Sequence, residues 1–158
     1  CGGTDDPRKS GPFGAAGPYL GLMARKSDGR RPGAGDPRRR LGALAESLCA
    51  AELEGRGWWI LNRNWRIGIG EIDIVAIDGR SLVVVEVKAH SAGNASGPAR
   101  PVLAVNRDKQ RRLRRLAEAW LQRRAGRLSF EEVRFDVVGI TVGDDGAVAA
   151  WEHIERAF

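Results

Sequence analysis

The stretch that most constrains this chain is GEIDIVAIDGRSLVVVEVKAH, residues 70–90. Branched aliphatic residues dominate two apolar runs, and the turn-forming pair Asp78–Gly79 separates them, so the stretch predicts a β-hairpin. Charged side chains interrupt both runs, at Glu71, Asp73, Glu86 and Lys88. A fold that buries this hairpin must therefore accommodate three carboxylates and an ammonium group.

Two hairpin registers bring these charged side chains together. With a two-residue turn at Asp78–Gly79, Asp73 lies opposite Val84; with a four-residue turn over residues 78–81, Asp73 lies opposite Glu86. Because side chains alternate between the faces of a strand, both registers place the whole charged set on one face, and only an odd-length loop separates it. The other face is then an apolar layer made of Ile72, Ile74, Ala76, Val83, Val85 and Val87.

A cluster of carboxylates is costly to bury, because each group loses hydration and like charges repel. A bound cation removes that cost, and oxygen ligands favour Mg²⁺ or Mn²⁺ over zinc. Lys88 beside such an ion is suited to stabilising charge that develops on a phosphate. The alternative is a solvated hairpin face with no site. Leu82 to Val87 is apolar on both faces except at Glu86, which favours the buried site.

The order of the predicted elements is helix, three strands, helix, two strands. The helical patterns have apolar residues at a spacing of three and four, and the strand patterns are rich in branched and aromatic residues. The predicted elements are a helix from Leu41 to Glu54, a strand over 58–67, the hairpin, a loop from Ser91 to Pro101, a helix from the N-cap Asn106 to about Arg124, a strand over 133–142 and a last strand ending near Trp151. We therefore expect an α/β domain over residues 41–158.

Composition sets the remaining expectations. Residues 1–40 contain nine Gly and five Pro, so we expect a disordered basic tail, of which residues 1–22 precede Met23 and a candidate natural start. Cys1 and Cys49 lie far apart in sequence, which favours a reducing cytoplasm. There is no apolar run of about 18 residues, so no membrane partner is expected.

The quoted motifs resemble those of the YraN family of bacterial endonuclease-like proteins. The matching pieces include LGALAE, GEIDIVAIDG, LVVVEVKAH and KQRRLRRLAEAWL. That family is similar to the PD-(D/E)xK superfamily, so the resemblance implies a restriction-endonuclease-like core of order αβββαβ, with a mixed sheet flanked by helices. It further implies Asp73 and Glu86 as metal ligands, the Val87 carbonyl and Glu46 as additional ligands, and Lys88 as the catalytic lysine.

Further positions are candidates for support or for binding nucleic acid. Glu71 shares the predicted face and is a candidate supporting carboxylate, and Gln110 matches a glutamine that relatives keep near the site. Residues 107–124 hold eight Lys or Arg against Asp108 and Glu118, an excess equal to the net charge of the chain, +6. We therefore predict phosphate contacts from Lys109, Arg111, Arg112, Arg114 and Arg115.

The resulting prediction is an endonuclease that depends on Mg²⁺ or Mn²⁺ and acts on DNA, with branched or single-stranded structures as candidate targets. RNA is the alternative substrate, and a homodimer is a candidate assembly. The competing hypothesis is a non-catalytic module that binds nucleic acid or protein and retains the nuclease fold. The presence of Asp73, Glu86 and Lys88 together favours catalysis.

Overall fold

The helices and strands occur in the predicted order. The computed structural model describes residues 36–92, 105–124 and 128–158, so most of the predicted tail and of the loop after Ser91 lies outside the described residues. The elements are α1 (Pro37–Gly55), β1 (Trp59–Ile67), β2 (Gly70–Asp78), β3 (Ser81–Ser91), α2 (Arg107–Gln122), β4 (Glu132–Val142) and β5 (Val148–Ile154). The predicted last strand ends three residues later than expected.

The strands form one mixed five-stranded sheet in the order β1-β2-β3-β4-β5. Neighbours are antiparallel except β3 and β4, which run parallel from Ser81↔Glu132 to Ser91↔Val142. A parallel pair needs a crossover connection, and α2 lies in that connection. The predicted fold class, a restriction-endonuclease-like α/β core, is confirmed.

Each helix covers one face of the sheet. Leu53 and Cys49 of α1 pack with Ile74 and Val85, whereas Trp120 of α2 packs in a second cluster on the opposite face. The second cluster consists of Ile72, Val75, Leu82, Val84, Leu113, Leu116, Ala117 and Trp120. Because β3 is central and buried on both faces, its sequence is almost continuously apolar.

Capping residues define where the helices begin. The Asn106 side chain accepts a hydrogen bond from the Lys109 backbone N–H at 2.9 Å, which confirms the predicted cap of α2. Helix α1 begins at Pro37 rather than at Leu41. Asp36 accepts from the Arg38 N–H at 3.0 Å and proline occupies the first helical position, where its missing N–H costs nothing.

The hairpin turn is Gly79–Arg80, so the predicted Asp78–Gly79 turn is wrong and the alternative register is correct. Asp78 pairs with Ser81 and Ile77 with Leu82. Gly79 adopts φ +57°, which suits the first central position of a tight hairpin turn. Asp78 stays in the strand because its carboxylate accepts a hydrogen bond from the buried Arg134 at 2.9 Å.

The predicted apolar layer is wrong at Ile72. Ile74 packs on the α1 side of the sheet, but Ile72 packs on the α2 side, although the two are separated by two positions. The alternation of β2 breaks between these two residues, and the facing strand β1 carries a register shift between Ile60 and Asn62 as well as Asn64 in the left-handed region at φ +51°. The first residues of β2, before Ile74, therefore do not continue the regular hairpin with β3.

A buried polar network holds together the end of the sheet that carries the Gly79–Arg80 turn. Arg134 Nε donates to Asp136 at 3.0 Å while its Nη2 donates to Asp78. The His153 ring lies 2.8 Å from the other Asp136 oxygen, and the Arg156 backbone N–H also donates to Asp136. Asp136 is completely buried, so its charge depends on these partners.

We expect Arg134→Met to lower the free energy of unfolding by about 3–5 kcal/mol, because Asp136 then keeps a buried charge without its cation. Arg80→Met is the matched control, since Arg80 forms an exposed ion pair with Glu131 and we expect a change below about 1 kcal/mol. Urea unfolding of both variants measures the difference. Equal losses would contradict a special role for the buried network.

Candidate functional site

The site lies where β2 and β3 separate. These strands pair from Asp78↔Ser81 up to Ile74↔Val85, and no further pair follows, although β3 continues beside β4 as far as Ser91. One edge of β3 beyond Val85 therefore loses its neighbour inside the sheet. Backbone groups on that edge need other partners because burial without a hydrogen bond is costly.

Asp73 occupies this fork. Its Oδ2 accepts a hydrogen bond from the Val87 backbone N–H at 2.8 Å, so a side-chain carboxylate replaces the missing strand partner. In an extended strand the N–H and C=O of one residue point to the same side. The Val87 carbonyl therefore lies on the same open edge, as its predicted role as a ligand requires.

The Asp73 carboxyl is held in an unfavourable environment for its charge. Burial, followed by the negative charge of Glu86, raises the pKa of Asp73 to about 7 from its ordinary value of 3.8. The hydrogen bond from the Val87 N–H acts in the opposite direction, and Glu46 adds a smaller increase. The two predicted metal ligands thus lie close enough to repel each other.

Glu86 is 3% exposed, and its two oxygens have very different surroundings. Oε1 receives two ammonium groups, from Lys88 Nζ at 2.7 Å and from Lys109 Nζ at 3.0 Å. Oε2 is also buried, yet it has no hydrogen-bond partner within the described parts of the chain. A buried carboxylate oxygen without a partner is uncommon and indicates a missing cation or water.

Glu46 lies near this pair but does not complete a ready metal site. Its charge contributes to the raised pKa of Asp73. Burial, followed by the Asp73 charge, also raises the pKa of the Cys49 thiol in α1 to about 12. Over residues 36–92, 105–124 and 128–158, no three Asp, Glu, His or Cys side chains converge closely enough to hold an ion. Glu46 as a metal ligand therefore stays a prediction.

The two candidate supporting residues have partners of their own. Glu71 forms an ion pair with Arg66 at 2.6 Å, and its side chain is 44% exposed. The shared face predicted for Glu71 and Glu86 is not kept, because the alternation of β2 breaks between Ile72 and Ile74. The Gln110 amide donates to the Val105 carbonyl at 3.2 Å, which secures the start of α2.

The predicted basic surface is divided between two locations. Arg111, Arg112, Arg114 and Arg115 are exposed along α2. Arg111 pairs with Asp108, and the Arg114 guanidinium lies 5.3 Å from the Phe158 ring centre. Lys109 instead points to Glu86, inside the site. Its position as the third residue of a helix capped by Asn106 is the sequence signal that locates it in the first turn, whereas its contact with Glu86 is set by the tertiary structure.

The donor set fits a hard divalent cation. Mg²⁺ uses one or two carboxylates and leaves its other positions to water and phosphate. Asp73, the orphaned Oε2 of Glu86 and the Val87 carbonyl are all oxygen donors near the fork. Two repelling carboxylates and a buried oxygen without a partner are the features that such an ion relieves.

The fold and the site define a mixed α/β protein with a carboxylate–lysine site at a fork in its sheet. No helix in the described part of the chain is long and apolar enough to cross a membrane. The profile described as "Uncharacterised protein family UPF0102" matches residues 45–140, and the chain belongs to that family.

Relatives from several bacteria bear the same family name. A UPF0102 protein of Mycolicibacterium vanbaalenii is 43% identical over 108 residues, which cover 68% of this chain and 85% of the relative. One of Streptomyces coelicolor is 47% identical over 108 residues, 68% of this chain and 80% of the relative. One of Dictyoglomus turgidum is 35% identical over 120 residues, 76% of this chain and 98% of the relative.

We expect Asp73→Asn to stabilise the metal-free protein above neutral pH. Between pH 4 and pH 7 folded Asp73 keeps a proton that the unfolded chain has released, so the free energy of unfolding falls as the pH rises through this window. The asparagine variant lacks this loss, which amounts to about 4 kcal/mol for a shift of this size. The two proteins should be similar at pH 4 and differ most at pH 8.

Urea unfolding in EDTA at several pH values measures this difference. Asp144→Asn, which removes the same charge from the exposed turn after β4, is the control. A stability difference between Asp73→Asn and wild type that does not change with pH would contradict the assigned environment of Asp73.

Proposed function

We propose that this protein is a Mg²⁺-dependent nuclease that hydrolyses phosphodiester bonds in DNA. The observation that carries the proposal is the buried, unpartnered Oε2 of Glu86 beside Asp73, with the Lys88 ammonium on the other oxygen of the same carboxylate. A site made only to stabilise the fold would satisfy this oxygen with a protein donor. The oxygen atoms of Asp73 and Glu86 suit a bound cation, and the neighbouring Lys88 ammonium suits an anionic substrate.

The chain supplies three contributions to such a reaction. Asp73 and Glu86 hold the ion, and the hydrogen bond from Val87 fixes the orientation of the Asp73 carboxylate. When bound, Mg²⁺ would supply Lewis acidity toward a phosphate oxygen and a more acidic water molecule. Lys88 donates a hydrogen bond to Glu86 Oε1, and from this position its ammonium can stabilise charge that develops on the phosphate.

The exposed arginines of α2 support a nucleic acid as the substrate. They continue from the helix turn that brings Lys109 to Glu86, so the site and the basic surface belong to one element. Arginine contacts to phosphates position a nucleic acid without reading its sequence. Branched DNA, single-stranded DNA and RNA are all compatible with such contacts, and the binding-only module remains the rival function.

We expect Asp73→Asn and Glu86→Gln to abolish Mg²⁺-dependent cleavage, because each removes a charged ligand of the ion. Lys88→Met should lower the cleavage rate by roughly 10²–10³-fold, the usual cost of losing one charge-stabilising donor. Assays on plasmid, single-stranded and four-way-junction DNA with Mg²⁺ or Mn²⁺ measure this.

Arg80→Met, at the opposite end of the sheet, should cleave like wild type and controls for charge and folding. If wild type cleaves none of these substrates with either ion, and still binds them, the binding-only module is the better account. Cleavage that persists in Asp73→Asn would show that the activity comes from another protein or another site.

We expect DNA affinity to fall steeply with salt, with a slope of log K against log salt of about −0.9 for each phosphate neutralised on duplex DNA. Replacing Arg112 and Arg115 together by Gln should reduce the slope by about two, if each arginine contacts one phosphate. Fluorescence anisotropy at several salt concentrations measures both slopes. If the double variant has the same slope as wild type, these arginines of α2 do not contact phosphates.

A further inference from the structure

Lys109 reaches the site from a different element than Lys88. Lys88 lies on β3, two residues from Glu86, whereas Lys109 lies in the first turn of α2. Both ammonium groups bind the same atom, Glu86 Oε1, at 2.7 and 3.0 Å. Both side chains are about one quarter exposed, 27% and 26%, so neither lysine is sealed from solvent.

The folding of α2 does not explain this contact. The start of the helix is already satisfied by the Asn106 side chain and by the Gln110 amide on Val105. The apolar side of α2 is supplied by Leu113, Leu116 and Trp120. The Lys109 ammonium adds neither a cap nor a core contact, and its hydrogen bond goes to the carboxylate that the proposed function assigns to the metal.

The formal charges at the site favour a role for Lys109 in binding substrate. In their ionised forms the two carboxylates of the pair and the two lysines on Glu86, namely Asp73, Glu86, Lys88 and Lys109, sum to zero; Glu46, a smaller influence on Asp73, is not counted in this sum. A divalent cation on the carboxylates brings the sum to two positive charges. A phosphodiester and an attacking hydroxide together carry two negative charges, so the site with both lysines is neutral when it holds them. With Lys88 alone it would be one positive charge short.

We propose that Lys109 is a second substrate lysine of this site, whose ammonium donates a hydrogen bond to a non-bridging oxygen of the phosphodiester held at the Asp73–Glu86 pair. This inference rests on the proposed function and extends it. In the free protein the contact with Glu86 Oε1 keeps the ammonium at the site. The exposed arginines of α2 contact phosphates along the strand, whereas Lys109 contacts the phosphate at the carboxylates.

The first experiment measures Mg²⁺ and Mn²⁺ affinity without nucleic acid, by calorimetry on the full chain. Lys109→Met removes a positive charge that lies against the metal-binding carboxylate, so the variant should bind the ion roughly tenfold more tightly. Arg107→Met removes the same charge from an exposed position of the same helix turn and should bind it like wild type. Equal affinities for Lys109→Met and Arg107→Met would overturn the inference.

The second experiment measures the salt dependence of binding to a short DNA duplex, with Ca²⁺ in place of Mg²⁺ to prevent cleavage. Lys109→Met should lose about one unit of the slope of log K against log salt, as expected for one lost phosphate contact. Lys109→Arg keeps the charge and should restore the slope. An unchanged slope for Lys109→Met would show that the ammonium does not contact phosphate and would overturn the inference.

Failure of the inference and failure of the proposed function give different results. If wild type cleaves DNA while Lys109→Met matches wild type in both experiments, the inference is wrong and the nuclease proposal stands. If wild type cleaves nothing but both experiments give the expected shifts, Lys109 belongs to a metal-dependent binding site and the nuclease proposal fails. If neither wild type nor Lys109→Met binds either ion, both proposals are overturned.

Discussion

The hydrogen bond from the Val87 N–H to Asp73 Oδ2 is the contact on which the site depends. It allows β2 to leave β3 after Ile74 without orphaning the backbone of a central strand. Inserting a carboxylate into the plane of the sheet solves a hydrogen-bonding problem and creates an electrostatic one, because Glu86 is the next buried acid. Burial of the carboxyl, followed by the charge of Glu86, raises the pKa of Asp73 to about 7.

Two buried carboxylates on neighbouring strands of the sheet, Asp136 and Glu86, have opposite surroundings. Asp136, which lies on β4 in register with Val85, accepts hydrogen bonds from Arg134 and Arg156 and lies against His153, so its charge is well compensated. At the fork, Glu86 has both lysines on one oxygen and no donor on the other. Both oxygens of Asp136 are therefore paired within the protein, whereas Glu86 keeps one unsatisfied oxygen that is able to bind a ligand. Such local inconsistencies tend to mark functional positions.

Much of the site was predictable from residues 70–90. Four charged positions in two apolar runs, three carboxylates and a lysine, indicated a buried acidic site, and strand alternation placed Glu86 and Lys88 on one face. Three features were not predictable. The turn moved by one residue because the distant Arg134 holds Asp78 in the strand. Ile72 and Glu71 do not lie on the faces that regular alternation gives them, because the alternation of β2 breaks between Ile72 and Ile74. Lys109 was expected to bind phosphate, but its contact with Glu86 was not foreseen.

The sequence by itself determined the order of helices and strands, the double burial of β3 and the family, because these follow from local periodicity and from motifs. The tertiary structure decided the fork between β2 and β3, the pairing of Val87 with Asp73 and the different surroundings of the two Glu86 oxygens. Those features depend on where a strand ends relative to its neighbour and on how a helix is placed across the sheet. Contacts between residues far apart in sequence set both, and no local pattern encodes them.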